Sequence, residues 1–318
     1  MRRRRRRLSI QSDADWGAQM TGPATFSMPP QFLGLGNRDH NAKLCIAGAP
    51  LDIGTTNRSG ARFGPDAIRR ASRMLVDGAH PQRWVDPSAS LQIADIGNFD
   101  IALGDIPKSL ELIEKQAEPI SHLAVLGGEH TITLALLRAL AKKRGPVGLV
   151  HFDAHVDTWK ENFGQKYGHG SVFFHAIEEA LVDPRRMVQI GIRSPVQKEV
   201  FDWTLSKGVT IFTAEDAHAR TPKEIAETIR SVVGEQATYL SFDVDALDPA
   251  FAPGTGTPEV GGLATWQTQA ILRRLENIDF VGMDVVEVAP AYDTAEITAL
   301  AAATIVWEYL ALVLSRAP

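Results

Sequence analysis

Two short segments of the sequence carry acids and histidines at a spacing that suits a metal ion. The first, residues 151–157 (HFDAHVD), follows the apolar run 147–150, which is typical of a strand buried on both faces. Side chains alternate along an extended chain, so Asp153, His155 and Asp157 leave the same side of the strand end. Carboxylate and imidazole donors in this arrangement can coordinate a divalent cation.

A second acidic segment favours a metal site over a solvated polar loop. Residues 241–249 (SFDVDALDP) also follow a strand-like run, and they place Asp243 and Asp245 two residues apart. Two buried strands that both end in carboxylates leave uncompensated negative charge unless a cation lies between them. The two segments together therefore predict a shared metal site.

A third segment, residues 127–130 (GGEH), adds a histidine. Its two glycines allow a sharp turn that delivers His130 to a strand end, although His130 alone would be interpreted as a polar residue at a helix start. Four carboxylates balance the charge of two divalent cations, whereas a single cation would leave buried negative charge. We therefore expect two metal ions, bound by His130, Asp153, His155, Asp157, Asp243 and Asp245.

Strand-like and helix-like runs alternate from residue 43 onward. This alternation predicts a parallel sheet with helices on both faces, in which ligands bind at the carboxyl ends of the strands. No linker or internal repeat divides the chain, so we expect one domain over residues 29–318. Predicted helices include Ile132–Lys143, Lys223–Val233 and Thr265–Leu275. The eight predicted strands are Leu44–Ala49, Leu91–Ile96, Leu123–Leu126, Val147–Phe152, Met187–Ile192, Val209–Phe212, Thr238–Val244 and Phe280–Val286.

The charge is unevenly distributed along the 318 residues. The net charge is −5, but Arg2–Arg7 hold six of the 33 basic residues, so the rest of the chain has 27 against 38 acids, a net of −11. An acidic body argues against nucleic-acid binding. Residues 1–28 lack periodicity, and we expect them to form a disordered basic tail.

The remaining composition is that of an ordinary globular protein, with 44% apolar and 22% charged residues. We expect no apolar run long enough to span a membrane. The single cysteine, Cys45, lies in an apolar run and is predicted to be a buried thiol. A chain with one cysteine cannot form an intrachain disulfide and suits a reducing compartment, so we expect the cytoplasm.

The sequence resembles the ureohydrolase family, which comprises arginases, agmatinases and guanidino-acid hydrolases. The resemblance runs from about residue 46 to residue 310 and rests on the segments GGEHTIT, HFDAHVDT, SFDVDALDPAFAPGTGTPEVGG and MDVVEVAPAYD. It implies a three-layer α/β/α domain around a parallel eight-stranded sheet. One departure is Glu129, where many members have Asp.

The resemblance also implies two manganese ions, with nickel or zinc as alternatives, and a homotrimer or homohexamer. One ion would be bound by His130, Asp153, Asp157 and Asp243, and the other by Asp153, His155, Asp243 and Asp245.

Further residues match the catalytic groups of the family. Glu287 matches the carboxylate that binds the guanidinium, for which a bidentate carboxylate is well suited. His169 matches a histidine that relays protons at the mouth of the site, and Asp157 would carry a proton to the departing amine. The implied reaction is metal-assisted hydrolysis of a guanidino compound to urea and a primary amine.

For the substrate, the sequence favours agmatine, which would give putrescine. Phe174 stands where hydrolases of guanidino acids tend to have Arg, and Trp159 offers an aromatic face that favours a cation. Against this, Arg58 and Arg62 could receive a carboxylate, so guanidinobutyrate or guanidinopropionate is the next alternative. Free guanidine and arginine rank behind these candidates as substrates.

Two other functions remain open on the sequence alone. One is a deacetylase-like amidohydrolase with a single zinc, against which Asp157 and the long segment after Asp248 argue. The other is an inactive metal-binding scaffold, which the presence of all six ligands together with His169 and Glu287 argues against.

Overall fold

The structure is a computed structural model that describes residues 30–90 and 92–315. The expected basic tail of residues 1–28 lies outside the described residues, as does Leu91, where the second predicted strand begins. The described strands are β1 Leu44–Ala49, β2 Ile93–Asn98, β3 Leu123–Gly127, β4 Val147–Phe152, β5 Val182–Ile192, β6 Thr210–Thr213, β7 Thr238–Asp243 and β8 Phe280–Val286.

These strands form one parallel sheet in the order β2-β1-β3-β8-β7-β4-β5-β6. The prediction of a parallel eight-stranded sheet with helices on both faces is confirmed. The helices are α1 Gly64–Ala71, α2 Ile106–Ala117, α3 Ile132–Arg144, α4 Val172–Glu178, α5 Lys198–Ser206, α6 Ala214–His218, α7 Pro222–Val233, α8 Thr265–Leu272 and α9 Ile297–Leu314.

Alternation along each strand divides the apolar core into two layers. In β4, Val150 and Phe152 pack with α1, α7, α8 and α9 on one face, while Val147 and Leu149 pack with α2, α3 and α4 on the other. Full burial of each such side chain contributes about 1.5–3 kcal/mol to folding. Both faces of the central strands are therefore mainly apolar.

Most predicted element boundaries are correct within two residues, and β5 is the main exception. It begins at Val182, five residues before the predicted Met187. Pro184, Arg185 and Arg186 made this part look irregular. It still forms strand because Val182 pairs with Val147 of β4, and the register shifts before Met187 pairs with Leu149. Tertiary pairing here outweighs local composition.

The prediction that no apolar run could span a membrane is wrong by length and composition. Helix α9 is long and apolar enough, but 72% of it is buried inside the protein. It packs against α1 and α8. Its apolar surface therefore serves the core of the fold. Cys45 in β1 is buried as predicted, and burial, with the charge of Asp39, raises the pKa of its thiol to about 11.

Four neighbouring strands, β3, β8, β7 and β4, end at the same edge of the sheet. Phe152 is aligned with Phe242, and Asp243 is aligned with Val286. Asp153, the residue after Phe152, is therefore level with Asp243, and Glu287 lies one residue beyond that row, directly after Val286. The sheet register itself assembles the acidic residues that the sequence singled out.

Candidate active site

The first group of metal donors surrounds His130, which follows β3 and precedes α3. Its Nδ1 atom lies 3.2 Å from Asp153 Oδ2, 3.1 Å from Asp157 Oδ2 and 3.3 Å from Asp243 Oδ2. All four side chains are at least 93% buried. One nitrogen and three carboxylate oxygens thus converge on one point. These are the residues that the resemblance groups around one ion, and their role as ligands stays a prediction.

The second group surrounds His155. Its Nδ1 atom lies 3.2 Å from Asp153 Oδ1 and 3.0 Å from Asp245 Oδ2. Asp153 therefore faces one group with Oδ2 and the other with Oδ1, so it joins them. Asp243 contacts the first group through Oδ2, while its Oδ1 accepts a hydrogen bond from the backbone N–H of Asp245 at 2.9 Å. Its predicted role as a second bridging ligand stays a prediction.

A buried chain of hydrogen bonds sets the tautomer of His130. The hydroxyl of Ser241 lies 2.8 Å from His130 Nε2 and donates to Asp284 Oδ1 at 2.7 Å. Because its proton is used on Asp284, Ser241 accepts from Nε2–H, so in a neutral imidazole Nδ1 is the nitrogen with the free lone pair. Thr133 and Tyr239 also donate to Asp284. Nδ1 is thus directed at the three carboxylates.

This arrangement fits a metal ion. Among the described residues, His130 Nδ1 is buried without a hydrogen-bond partner. Burial lowers the pKa of His130, but the three carboxylates outweigh it and raise this pKa well above its ordinary value, so the position between them favours a cation. Imidazole and carboxylate donors suit several first-row divalent ions. The donor set is therefore one that could hold a metal ion.

The charges of this centre are strongly coupled. Burial raises the pKa of Asp243 well above its ordinary value, and the charges of Asp245 and Asp153 raise it further. Burial would also raise the pKa of Asp153, but nearby histidines, above all His151, hold it well below its ordinary value. A negative charge on Asp243 is therefore unfavourable unless a cation lies nearby.

His151 is a functional residue that the sequence interpretation missed. Its Nε2 lies 2.8 Å from Asp153 Oδ2, and its Nδ1 lies 3.0 Å from the side-chain amide nitrogen of Gln189. That amide also donates to the carbonyl of Val156 at 2.7 Å. Because Gln189 donates to Nδ1, Nε2 carries the proton and donates to Asp153. His151 thus orients a ligand, and its place two residues before Asp153 was the available signal.

Glu287 is held by one carboxylate oxygen only. Oε1 accepts from the backbone N–H of His130 at 2.9 Å and lies 3.0 Å from His169 Nδ1. Within the described part of the chain, Oε2 is buried and has no hydrogen-bond partner. An unpaired buried carboxylate oxygen is costly, so it marks a place where a polar group of a ligand can bind.

His169 connects Glu287 to the loop after β1. Its Nε2 lies 2.8 Å from the hydroxyl of Thr56. Burial lowers the pKa of His169, but the charge and hydrogen bond of Glu287 outweigh it and raise the pKa to about 9. The backbone N–H of Thr56 donates to Nε2 at 3.2 Å, so Nε2 accepts while Nδ1–H donates to Glu287 Oε1.

Two of the predicted catalytic residues have a strained backbone. Asp157 has φ 49° and Glu287 has φ 67°, in the left-handed region that residues other than glycine rarely occupy. Such conformations cost about 1–3 kcal/mol each and persist where the surrounding structure requires them. Both residues lie where the chain turns sharply after a central strand, so the strain aims their carboxylates at one site.

Glu129, where the sequence departs from the family pattern, holds the loop after β1 in place through a hydrogen bond. Its Oε2 accepts from the backbone N–H of Gly54 at 2.7 Å, in the loop that follows β1. Burial, then the charge of Glu287, raises the pKa of Glu129 to about 8. The longer side chain thus reaches across to a neighbouring strand's loop.

A cavity of about 690 Å³ opens above the metal donors. His155, Asp157, His169 and Asp243 line it. The other predicted site residues, His130, Asp153, Asp245 and Glu287, are almost completely buried, and each contacts a residue that lines the cavity. The cavity is large enough for a small linear guanidino compound.

The predicted substrate contacts are only partly brought together. Trp159 and Arg58 line the cavity, and Arg58 also lies over the ring of Tyr292, with 4.9 Å from Cζ to the ring centre. Arg62 instead pairs with Asp52. Each arginine is thus already in contact with a neighbouring side chain.

The predicted position of Phe174 at the mouth is wrong. Phe174 belongs to α4, and its ring packs on Trp203 with the ring centres 4.8 Å apart. Among the described residues that line the cavity, Phe174 does not occur. The helix begins at Val172 and turns this side chain toward α5.

The fold and the site together define a class, an α/β/α protein with a histidine–carboxylate metal centre at the ends of its central strands. Residues 42–311 match the Arginase family, and the chain belongs to this family. It is therefore an enzyme, a hydrolase of the ureohydrolase type. The predicted family and enzyme class are confirmed.

Relatives with assigned activities are similar over most of their length. The chain is 43% identical to an agmatinase of Cronobacter sakazakii over 277 residues, which cover 86% of this chain and 88% of the relative. It is also 43% identical to a guanidinobutyrase of Pseudomonas aeruginosa over 270 residues, or 83% and 84% of the two chains.

Solved structures agree with this assignment. A hypothetical agmatinase from Burkholderia thailandensis is 39% identical, with a TM-score of 0.86 over 92% of this chain and 93% of that chain. Proclavaminate amidino hydrolase from Streptomyces clavuligerus is 36% identical, with a TM-score of 0.88 over 93% and 100%.

Proposed function

We propose that the protein hydrolyses agmatine to urea and putrescine with two manganese ions bound at the histidine–carboxylate centre. The observation that supports this most strongly is Oε2 of Glu287, a buried carboxylate oxygen that has no hydrogen-bond partner among the described residues and lies on a side chain next to His169 of the cavity wall. A guanidinium offers the complementary planar set of N–H donors. Glu287 therefore binds and orients the guanidinium of the substrate.

Residues of the chain then position and move protons. Divalent cations bound at the centre would lower the pKa of water and so supply the nucleophile. Asp157 lines the cavity and also faces His130 at 3.1 Å, so it adjoins both the substrate and the metal donors. It carries a proton to the departing amine. His169 holds Glu287 in place.

The choice of agmatine is supported by relatives and by the cavity. The Cronobacter relative is named for agmatine, and Trp159 gives the cavity an aromatic face that favours a cation. Guanidinobutyrate is the second candidate, because the Pseudomonas relative is named for it and Arg58 lines the same cavity.

Urea release from a panel of substrates tests the proposal. The manganese-loaded protein is assayed with agmatine, 4-guanidinobutyrate, arginine and guanidine. We expect kcat/KM to be highest for agmatine. A tenfold preference for 4-guanidinobutyrate, about 1.4 kcal/mol of transition-state stabilisation, would overturn the choice of substrate but not the reaction class.

The family resemblance supports three further proposals. We propose a single catalytic domain over residues 29–318, a homotrimer or homohexamer, and a cytoplasmic location. Light scattering of the purified protein tests the assembly. A monomer at micromolar concentration would contradict it.

A further inference from the structure

Glu259 places a second carboxylate on the wall of the cavity. It lies in the irregular segment between β7 and α8. Its Oε1 accepts a hydrogen bond from the hydroxyl of Ser194 at 2.9 Å, and Ser194 lines the cavity beside it. The carboxylate is therefore held in one orientation, with its other oxygen available to a ligand.

The backbone of Glu259 is also fixed. The guanidinium of Arg193 donates to the carbonyl of Glu259 at 2.6 Å, of Val260 at 3.1 Å and of Asp245 at 2.7 Å. These bonds tie the loop to the residues that follow β7. A preorganised carboxylate binds a cation better than a mobile one, because less conformational entropy is lost.

The distance from the metal centre suits a short diamine-like chain. Thr257 donates to Asp245 Oδ2 at 3.3 Å, so it adjoins the second donor group. Glu259 is two residues further along, and two residues of extended chain span at most about 7 Å. A four-carbon chain between two nitrogens spans about 6 Å. A substrate held at the metal centre can thus reach Glu259 with its far end.

The charges around this position favour a cation. Glu161 and Glu259 both line the cavity, and Arg58 is the arginine among the described residues of its wall. Arg58 is exposed and lies over the ring of Tyr292. The wall formed by Ser194 and Glu259 is therefore negative, and it opposes a substrate that ends in a carboxylate.

We propose that Glu259, oriented by Ser194, binds the distal ammonium of the substrate and so selects guanidino amines over guanidino acids. This inference rests on the proposed ureohydrolase function and names the residue that determines its specificity. Glu287 binds one end of the substrate and Glu259 the other. The spacing between the two carboxylates therefore selects substrates by the length of the carbon chain between their two cationic groups.

The test compares three substrates that differ only at the distal end: agmatine, 4-guanidinobutyrate and butylguanidine. In Glu259→Gln we expect kcat/KM for agmatine to fall about tenfold, mainly through KM, because one charge-assisted bond is lost. Butylguanidine should be unchanged, and 4-guanidinobutyrate should improve because a like charge is removed. Ser194→Ala should give a smaller change in the same directions.

Glu161→Gln is the matched control, since it removes the same charge from an exposed position on the same cavity. We expect a much smaller effect from it. An equal loss for all three substrates in Glu259→Gln would make Glu259 merely structural, and no loss for agmatine would overturn the inference directly. If the native protein releases urea from no guanidino compound, the proposed function fails, and this inference fails with it.

Discussion

The Nδ1 atom of His169 lies 3.0 Å from Oε1 of Glu287, and the opposite oxygen of that carboxylate has no partner among the described residues. The histidine thus occupies one side of the carboxylate and leaves the other side to the substrate. Glu287 thus serves to bind the guanidinium and is not a predicted metal ligand. Binding of the guanidinium can therefore be tested separately from binding of the metal ions.

Replacing Glu287 by Gln should abolish most activity and leave the metals in place. The change keeps the size and the left-handed backbone but removes the charge. Truncating one partner of a buried ion pair costs about 2–5 kcal/mol, so kcat/KM should fall by roughly 30-fold or more. Urea assays and metal analysis measure the two effects.

Glu296→Gln is the control, because Glu296 is exposed and also has a positive φ, 58°. It should match the native protein. Near-normal kinetics for Glu287→Gln would show that another residue binds the guanidinium.

Asp153 and Asp245 should differ in the number of ions lost. Asp153 faces both donor groups with separate oxygens, so Asp153→Asn should lose most of both ions. Asp245 faces His155 at 3.0 Å and belongs to the second group, so Asp245→Asn should keep about one ion per chain. Mass spectrometry of the dialysed proteins gives the count, with the exposed Asp202→Asn as control. Equal losses in the two variants would contradict the assignment of Asp153 as the shared ligand.

Ser241→Ala should weaken metal binding by breaking the link between His130 and Asp284. Loss of such supporting hydrogen bonds typically costs 10–100-fold in metal affinity. Thr133→Val removes another donor from the same Asp284 oxygen pair without touching His130. Both variants should lose similar stability, about 1–3 kcal/mol, but only Ser241→Ala should lose metal affinity. Chelator competition measures the metal affinity of both variants. An equal affinity in Ser241→Ala and Thr133→Val would show that the hydrogen bond between Ser241 and His130 does not matter.

His122 should make the fold sensitive to mild acid. Burial, then the charges of Arg144 and Lys43, lowers its pKa from 6.5 to about 4, and its Nε2 lies 2.6 Å from the hydroxyl of Tyr309. Above pH 6.5 neither state binds the proton. Between pH 6.5 and 4 only the unfolded chain binds it, so the free energy of unfolding falls, by about 2 kcal/mol at pH 5.

His122→Gln keeps a hydrogen-bonding side chain but cannot titrate. Urea unfolding at pH 7.5 and pH 5 should therefore show a smaller loss of stability for the variant than for the native protein. The exposed His40→Gln should lose as much as the native protein. Identical losses for all three would exclude His122 as the source.

The sequence predicted the sheet and the metal donors because both depend on strong local patterns. Buried strands are short apolar runs, and acids at their ends stand out, so β1, β4 and β8 were predicted with their observed bounds. Supporting residues such as Ser241 and Asp284 were not predicted, because small polar residues within a strand carry no periodic signal. Phe174 was misplaced for a different reason, since the direction of a side chain depends on where its helix begins.

The order of the strands has a consequence for synthesis of the protein on the ribosome. β3 and β4 are made early, yet β8 and β7 lie between them in the sheet. At about 5–20 residues per second, the chain waits several seconds or longer before the strands that fill this gap emerge. During that time His130 and Asp153 have no Asp243 or Glu287 to face. The segments that carry β7 and β8 therefore close the sheet and complete the active site late in synthesis. A chain that ended before β7 would have neither the closed sheet nor the complete site.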